Sequence, residues 1–235
     1  MATQRILCID IGGSNIKATV LDTAGKIIEP YQKLPTPTPS TPQNVLKTIQ
    51  QLVNGFPAYQ KISVGFPGYV KHGVVMTAPN LGTPAWAKFD LQGRIAKLLK
   101  KPCIVVNDAD MQGLGIARAK GFEIVVTLGT GFGTAFLYEG KLLPHLEFAH
   151  HPVWKNDWDY DKYIGEKAFK KEGVEKWNKR IQRVIGILKT VFNYDHLYIG
   201  GGNAKQINFK LDKNITIVTN KEGIKGGPRL WQKKK

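Results

Sequence analysis

The chain has 235 residues, of which 34 are Lys or Arg and 18 are Asp or Glu, so its formal net charge at pH 7 is +16. Its 42% hydrophobic and 10% aromatic residues exclude a disordered chain. The length is enough for one large or two modest domains with hydrophobic cores. A charge of +16 predicts a polyanionic partner, such as a nucleic acid, an anionic membrane or a polyanionic substrate.

No apolar run in the sequence reaches the roughly 18–20 residues that a membrane span needs. The N-terminus also lacks the layout of a signal peptide. The two cysteines, Cys8 and Cys103, lie in apolar runs and cannot staple a chain of this length. We therefore expect reduced core thiols in a cytoplasmic protein.

The first half of the sequence alternates strand and helix patterns. The elements predicted there are strands at 5–11, 16–21, 26–28, 61–66 and 103–106 and helices at 43–53 and 90–100. The proline-rich stretch from Pro35 to Pro42 predicts a stiff surface connection. Thr41 followed by Pro42 then favours a helix start.

The second half repeats the opening pattern of strand, glycine turn and strand, near 122–138 as near 5–21. The elements predicted there are strands at 122–128, 132–138, 196–199 and 214–218 and helical segments at 159–192 and 222–232, with a break at Gly173. A duplicated α/β unit with a cleft between the copies explains the repetition. We predict lobes at 1–106 and 107–235, and we allow the last helical segment to pack on the first lobe.

Two glycine-rich turns are candidate anion sites. Gly12 and Gly13 permit a tight turn with N–H groups that can face an anion, Ser14 adds a hydroxyl donor, and Asp10 stands at a strand end where a carboxylate can hold Mg²⁺. An ordinary hairpin turn is the alternative. The second turn, 129–134, is not the dinucleotide fingerprint because a strand follows it, and the P-loop pattern is absent from the sequence.

Two further segments carry polar side chains suited to chemistry. Asn107 and Asp108 follow a predicted strand, so a carboxylate there can accept a hydroxyl proton, although both residues are also favoured helix N-caps. Glu147 and His150 suit the recognition of sugar hydroxyls or a metal. Zinc is rejected because both cysteines are far upstream in the sequence.

Eight motifs occur in one order along nearly the whole chain. They are CIDIGGSNIKATVLD (8–22), VGFPGYVKHGVV (64–75), APNLGTPAW (78–86), NDADMQGLG (107–115), VVTLGTGFGTAF (125–136), LEFAH (146–150), IGGGNAK (199–205) and EGIKGGPRLW (222–231). In these motifs the sequence resembles the ROK sugar kinases, and among them it is most similar to the polyphosphate glucokinases.

The resemblance implies the actin-like ATPase (ribonuclease H-like) duplicated α/β fold, with two lobes and a central cleft. It implies a cytoplasmic, homodimeric enzyme that phosphorylates the 6-hydroxyl of glucose or a related hexose from polyphosphate or ATP. Asp108 matches the catalytic base, Asp10 would position Mg²⁺, and the implied sugar contacts are Asn80, Asn107, Asp108, Glu147 and His150. The implied phosphate-donor contacts are Gly12, Gly13, Ser14, Lys17, Gly129, Thr130, Gly131, Gly133, Gly200, Gly201 and Gly202.

The sequence also departs from the family pattern. Ala149 replaces the usual glycine between Glu147 and His150, and its methyl group could shift that turn. The cysteine-rich zinc motif of many members is missing, as it is in polyphosphate glucokinases. A helix-turn-helix does not precede the first strand, which disfavours the repressor branch. An enzyme restricted to ATP and a non-catalytic sugar sensor remain alternatives.

The distribution of charge bears on the phosphate donor. Residues 1–106 hold 12 basic and 4 acidic side chains, and residues 107–235 hold 22 and 14, so each half carries +8 (12 − 4 and 22 − 14). In the second half, a predicted helix aligns Lys176, Lys179, Arg180 and Arg183 on one face. This face is a candidate polyanion track, and a solvated helix face is the alternative.

Two other features of the sequence are interpreted structurally. Trp154, Trp158 and Trp177 lie in the same basic region, where alternating aromatic and basic residues can bind single-stranded nucleic acid. Packing is the preferred role, because the sequence has no nucleic-acid-binding signature. The tail Gln232–Lys235 is expected to aid solubility rather than to form a site.

Overall fold

The computed structural model describes residues 4–232, apart from the side chains of Thr83, Asn220, Lys221 and Glu222. The last three residues of the predicted solubilising tail, Lys233–Lys235, lie outside the described residues. The chain divides into two compact units. Unit 1 comprises the residues up to Gly115 together with those from Gly223 onwards, and unit 2 comprises Ile116–Glu222.

Unit 1 is built around a mixed sheet. Its strands are β1 (Arg5–Ile11), β2 (Asn15–Asp22), β3 (Ile27–Pro35), β4 (Lys61–Phe66), β5 (Val70–Lys71), β6 (Val74–Val75), β7 (Phe89–Asp90) and β8 (Cys103–Asn107). Its helices are α1 (Pro42–Leu52), α2 (Thr83–Trp86), α3 (Leu91–Leu99) and α4 (Asp108–Ile116). The main sheet has the order β3-β2-β1-β4-β8, in which β1, β2 and β3 are antiparallel and β1, β4 and β8 are parallel.

Strand β1 is buried on both faces because apolar side chains point alternately to the two sides of the sheet. Leu7 and Ile9 belong to the main core with α1 and α3. Ile6 and Cys8 belong to a smaller cluster with Met111 of α4. Helix α4 therefore packs against the sheet of unit 1. For this reason unit 1 extends through α4 to Gly115, instead of ending at residue 106 as predicted.

The segment Asn220–Trp231 forms 3-10 turns, and its residues from Gly223 onwards belong to unit 1. Ile224 joins the Ile6–Cys8 cluster. Ser63 of β4 donates its hydroxyl to the carbonyl of Gly227 at 2.7 Å and accepts the Trp231 indole N–H at 2.9 Å. These two hydrogen bonds hold the segment against the sheet.

Unit 2 repeats the arrangement of unit 1. Its strands are β9 (Phe122–Leu128), β10 (Phe132–Tyr138), β11 (Lys141–Leu142), β12 (Pro152–Trp154), β13 (Trp158–Asp159), β14 (His196–Gly200) and β15 (Ile215–Ile217), and its helices are α5 (Tyr160–Ile164) and α6 (Glu166–Phe192). The sheet order β11-β10-β9-β14-β15 again joins an antiparallel half to a parallel half. The predicted duplication of an α/β unit is confirmed.

The core of unit 2 lies between this sheet and α5 and α6. Trp177 is fully buried there and donates its indole N–H to the carbonyl of Ile164 at 2.8 Å. Helix α6 bends at Gly173, whose φ of +76° and ψ of 166° interrupt the helical dihedrals. The predicted break and the packing role of Trp177 are confirmed.

Several local predictions are borne out in unit 1. The Thr41 hydroxyl oxygen accepts the N–H of Asn44 at 3.3 Å and caps α1, which begins with Pro42. Cys8 and Cys103 are buried and unbridged, and burial raises the pKa of the Cys103 thiol to about 12.

No helix within residues 4–232 is both long and apolar enough to cross a membrane.

Two elements differ from the sequence prediction. Strand β3 extends to Pro35 instead of ending at 28, because it pairs along β2 at the edge of the sheet, where Pro30 and Pro35 are tolerated. The residues around 222–232 form 3-10 turns instead of an α-helix. Gly226, Gly227 and Pro228 stand within that segment and disfavour α-helix.

We expect Ser63→Ala to lower the free energy of unfolding by about 1–3 kcal/mol, since it leaves the Gly227 carbonyl and the Trp231 indole N–H without their partner. Urea denaturation measures this change. Thr190→Ala, which removes an exposed hydroxyl from α6, is the control and should shift stability by less than about 0.5 kcal/mol. Equal stability of the Ser63→Ala and wild-type proteins would contradict the role assigned to Ser63.

Candidate functional site

The carboxyl ends of three parallel strands meet at one edge of the unit 1 sheet. Asp10 of β1 is in register with Gly65 of β4, and Gly65 is in register with Val106 of β8. Asn107 and Asp108 follow directly at the β8–α4 junction. The topology thus brings the predicted metal carboxylate and the predicted base to the same sheet edge.

Asp10 is paired across the β1–β2 hairpin. Lys17 is its register partner, and the Lys17 ammonium lies 3.6 Å from the Asp10 carboxylate. Burial raises the pKa of Asp10, and the charge of Lys17 opposes that rise. The pairing holds the Asp10 carboxyl group at the strand end beside the glycine turn.

The turn from Gly12 to Ser14 is held by backbone contacts. The Gly12 N–H donates to the Asn15 carbonyl at 2.9 Å, and the Thr36 hydroxyl donates to the Gly12 carbonyl at 2.6 Å. A Cβ on Gly12 would lie 2.9 Å from that same Asn15 oxygen, so glycine is needed for the turn. Gly13 and Ser14 are exposed and are available to a ligand.

Asn80 lies beside this turn. A Cβ on Gly13 would be 3.5 Å from the Asn80 Cβ, and Asn80 is exposed. The structure therefore brings the predicted sugar-side asparagine next to the predicted phosphate turn.

Asn107 and Asp108 have distinct surroundings. Asn107 is buried, its Nδ2 donates to the Gly68 carbonyl at 3.1 Å, and its Oδ1 accepts the Ala109 N–H at 2.8 Å. Asp108 is half-buried, and its Oδ1 accepts the same N–H at 2.8 Å. Asn107 thus caps the start of α4, which is one of the two roles that the sequence analysis considered for it. The Ala109 N–H at the start of the same helix holds the Asp108 carboxylate in place.

Gly65 makes room for this junction. A Cβ there would lie 2.8 Å from the Met111 Cε and 3.3 Å from the Asp108 Cα. A larger residue at 65 would displace the Met111 side chain and crowd the backbone of Asp108.

In unit 2, the glycine turn after β9 packs against the junction of α5 and α6. The Phe132 N–H donates to the Asp161 carboxylate at 2.7 Å, and a Cβ on Gly131 would be 2.7 Å from the same oxygen. The Glu166 N–H at the start of α6 donates to the Gly129 carbonyl at 3.0 Å. These contacts fix the loop and leave Thr130 exposed.

The glycines after β14 approach the same turn. Gly200 is in register with Thr127 of β9, so both strands end at this edge of the sheet. Gly201 has a φ of +93°, and a Cβ there would collide with the backbone of Leu128. The predicted donor glycines of unit 2 therefore lie together, except that Gly133 is part of strand β10 rather than of the turn.

Glu147 stands between two histidines. Its carboxylate lies 3.4 Å from His145 Nε2 and 3.6 Å from His150 Nε2. His145 is the main cause of the lowered pKa of Glu147, and His150 adds to it. The Glu147 side chain is 35% exposed, so it can still bind a polar ligand as a charged acceptor.

Asp161 links this acid to the glycine turn. Burial raises the pKa of Asp161, and the hydrogen bond from the Phe132 N–H lowers it. Nearby Glu147 raises this pKa further, whereas His150 lowers it. Those interactions place Glu147, His150 and the turn in one neighbourhood of unit 2. Ala149, the departure from the family motif, packs its methyl group into the unit 2 core within a single 3-10 turn.

A basic cavity of about 390 Å³ opens beside the glycine turn. We call it the donor cavity; its lining residues are Thr130, Trp158, Asp161, Lys162, Lys167, Ala168, Lys171, Glu172 and Arg180. Its basic side chains come from α5 and α6, the region that the sequence identified as rich in lysine and arginine. An anionic group in this cavity would contact Thr130 of the turn.

The donor set at Asp10 suits Mg²⁺, which proteins commonly hold through one or two carboxylates together with substrate phosphates and water. Among residues 4–232, no three or more His, Cys, Asp or Glu side chains are grouped so that they could hold a metal ion. Asp10 is therefore suited to supply one ligand to such an ion.

Three residues that contribute to the candidate site could not be identified from the sequence. Thr36 and Asp161 act through contacts with turns 24 and 29 residues away in sequence, and His145 precedes the motif that contains Glu147. Each is an ordinary residue type in a loop or short helix. A local pattern could not identify their partners.

The model of the ROK family matches residues 6–146. A polyphosphate glucokinase of Mycobacterium tuberculosis is 34% identical over 92% of this chain and 83% of its own length. A glucokinase of Streptomyces coelicolor is 32% identical over 57% of this chain and 44% of its own length.

Among solved structures, the inorganic polyphosphate/ATP-glucomannokinase of Arthrobacter sp. strain KM matches with a TM-score of 0.84 and 30% identity, over 97% of this chain and 98% of its own. A ROK family glucokinase of Streptomyces griseus, solved with glucose and AMPPNP, matches with a TM-score of 0.76 and 19% identity, over 96% and 98% of the two chains. These matches confirm the actin-like ATPase fold.

We expect Gly201→Ala to destabilise the protein by about 1–3 kcal/mol, because alanine is strained at a φ of +93° and its methyl group meets the Leu128 backbone. Gly202→Ala is the matched control, since a Cβ at 202 meets nothing within 4 Å. Urea denaturation of both variants compares the two positions. Equal stability of the two variants would contradict the packing described for Gly201.

Proposed function

The chain belongs to the ROK family and is a phosphotransferase, and we propose that it transfers a phosphoryl group from inorganic polyphosphate, with ATP as a second donor, to the 6-hydroxyl of glucose. The observation that carries the proposal is the position of Asp108, a half-buried carboxylate fixed at the carboxyl end of β8. Asp10 and the turn 12–14 end β1 at the same sheet edge. A base and a phosphate-binding turn are the parts that phosphoryl transfer to an alcohol requires.

Asp108 is the proposed catalytic base. The sugar hydroxyl becomes acidic as its oxygen bonds to phosphorus, and the Asp108 carboxylate accepts the proton at that stage. Asn107 positions this group, because its amide caps α4 and binds the Gly68 carbonyl. Asn80 is the proposed sugar contact beside the glycine turn.

Glu147 and His150 are the proposed sugar contacts of unit 2. A carboxylate kept ionised by neighbouring imidazoles is a strong acceptor for sugar hydroxyls. Asp161 accepts the Phe132 N–H and interacts electrostatically with Glu147 and His150, which supports a sugar-binding role near the glycine turn of unit 2.

The donor phosphates are proposed to bind the glycine turns. In unit 1 these are Gly12, Gly13 and Ser14 with Lys17, and in unit 2 they are Gly129–Gly131 and Gly200–Gly202 with the donor cavity. The N–H groups of Gly12 and Gly129 already bond within their own turns, so the proposed phosphate donors are the other backbone N–H groups of the turns together with the lysines. Mg²⁺, held through Asp10, would supply charge neutralisation at those oxygens when bound.

Polyphosphate is proposed as the main donor because of charge. Both halves of the sequence carry an excess of +8 (12 − 4 and 22 − 14), and the donor cavity is lined by Lys162, Lys167, Lys171 and Arg180. ATP requires only a limited number of positive contacts, whereas polyphosphate carries about one charge for each phosphate. The 34% identity to a polyphosphate glucokinase supports this choice.

The buried, unbridged thiols support the cytoplasm as the place of this reaction. A homodimer stays a prediction.

We expect Asp108→Asn to lower kcat with glucose by about 10²–10⁴-fold, because the amide cannot accept the hydroxyl proton. Asparagine keeps the oxygen that accepts the Ala109 N–H, so the thermal stability should stay close to wild type. Asp212→Asn, which alters an exposed pair with Lys189, is the control. Full turnover by a folded Asp108→Asn protein would remove Asp108 from the mechanism.

The proposed function is tested by crossing glucose, mannose and N-acetylglucosamine with ATP and polyphosphate in one kinase assay. We expect the highest kcat/KM with glucose and polyphosphate, and a polyphosphate rate that falls more steeply with salt than the ATP rate, because more charges are released on binding. Activity with ATP alone would favour the ATP-restricted kinase. No sugar phosphorylation with either donor would favour a non-catalytic sugar sensor.

A further inference from the structure

A row of aromatic rings and guanidinium groups runs beside the donor cavity. The Arg180 guanidinium carbon lies 5.7 Å from the Trp158 ring centroid and 5.0 Å from the Tyr163 ring centroid. Tyr163 stacks on Trp154 with 5.6 Å between centroids, and the Arg183 guanidinium carbon lies 4.7 Å from the Trp154 ring. We call these five residues the aromatic–arginine ladder.

The ladder holds Arg180 in one position. One guanidinium nitrogen donates to the Tyr163 carbonyl at 3.0 Å, and another lies 3.0 Å from the Glu172 carboxylate. The Arg180 side chain is only 12% exposed. A guanidinium fixed between rings is already partly desolvated, so it loses little rotamer freedom and hydration when an anion arrives.

A second cavity, of about 380 Å³, is also lined by Arg180. We call it the distal cavity; its lining residues are Trp154, Tyr163, Lys176, Lys179 and Arg180. Because Arg180 lines both cavities, the distal cavity adjoins the donor cavity. Proximity of this kind is what a linear ligand needs in order to contact both cavities.

The charge along α6 is not neutralised within the described part of the chain. Glu172 serves both Lys176, at 2.6 Å, and Arg180. Lys167, Lys171, Lys179 and Arg183 have no carboxylate within 4.0 Å among residues 4–232. Lys176, Lys179, Arg180 and Arg183 occupy one face, about 10 Å long at 1.5 Å per residue. The sequence predicted this face as a polyanion track.

We propose that the distal cavity is a second anion-binding subsite, which holds phosphates of a long polyphosphate chain whose reacting end lies in the donor cavity. The inference rests on the proposed function, because it extends the same donor site. Occupying two adjoining subsites makes binding of the second segment intramolecular and strengthens the binding of long chains over short ones. Tripolyphosphate, with three phosphates, fills the donor cavity and gains less from the distal cavity.

The test is the double variant Lys176→Gln/Lys179→Gln, assayed with long-chain polyphosphate and with tripolyphosphate. Loss of two exposed charge contacts should raise KM for the long chain about tenfold relative to KM for tripolyphosphate. Lys189→Gln is the control, because Lys189 lies on the same helix but pairs with Asp212 at 2.7 Å. An equal rise for both polymers, or no rise for the long chain, overturns the proposal.

Direct binding separates this subsite from the proposed function. Calorimetry with each polymer and no sugar should give a long-chain Kd about tenfold weaker for the double variant than for wild type, with a smaller change for tripolyphosphate. This result would support the subsite even if wild-type protein did not use polyphosphate as a donor. Identical long-chain Kd values for the two proteins would refute the subsite, whatever the donor assay gives.

Discussion

The candidate site depends on close backbone approach at the ends of the sheet strands, where only glycine fits. A Cβ on Gly201 would collide with the Leu128 backbone, and one on Gly68 would collide with the Thr77 carbonyl. One on Gly131 would crowd the Asp161 carboxylate. Packing of this kind fixes the turns against the groups beside them. The N–H groups and the flanking polar side chains can then hold their geometry before a ligand binds, as electrostatic stabilisation of phosphate oxygens requires.

Charge is arranged on this rigid frame in two ways. Carboxylates near the turns are kept close to basic side chains, as Asp10 is to Lys17 and Glu147 is to two histidines. Along α6 the cations outnumber the nearby carboxylates, and stacking on aromatic rings holds the arginines in place. The first arrangement suits sugar hydroxyls and a metal ion, and the second suits a polyanion. Part of the excess positive charge of the sequence is therefore concentrated along α6 in unit 2.

Sequence reasoning succeeded where the determining interaction is local. The Thr41 cap, the break at Gly173 and the repeated strand–turn–strand pattern each depend on a few neighbouring residues. It failed where the determining contact is distant. Strand β3 reaches Pro35 only because β2 is available to pair with it, and the need for glycine at 131 comes from a carboxylate at 161. The residues next to such positions in the sequence do not identify the distant partner.

The return of residues 223–232 to unit 1 has a consequence during synthesis. The ribosome makes the whole of unit 2 before Ile224 and Trp231, which cover Ile6 and Cys8 on the second face of the first sheet. Until then that face keeps apolar side chains in contact with water. Unit 2, formed by one continuous stretch, can fold first, while unit 1 waits for a segment made more than a hundred residues after its last strand. The packing of unit 1 is therefore completed out of step with the order in which its residues are made.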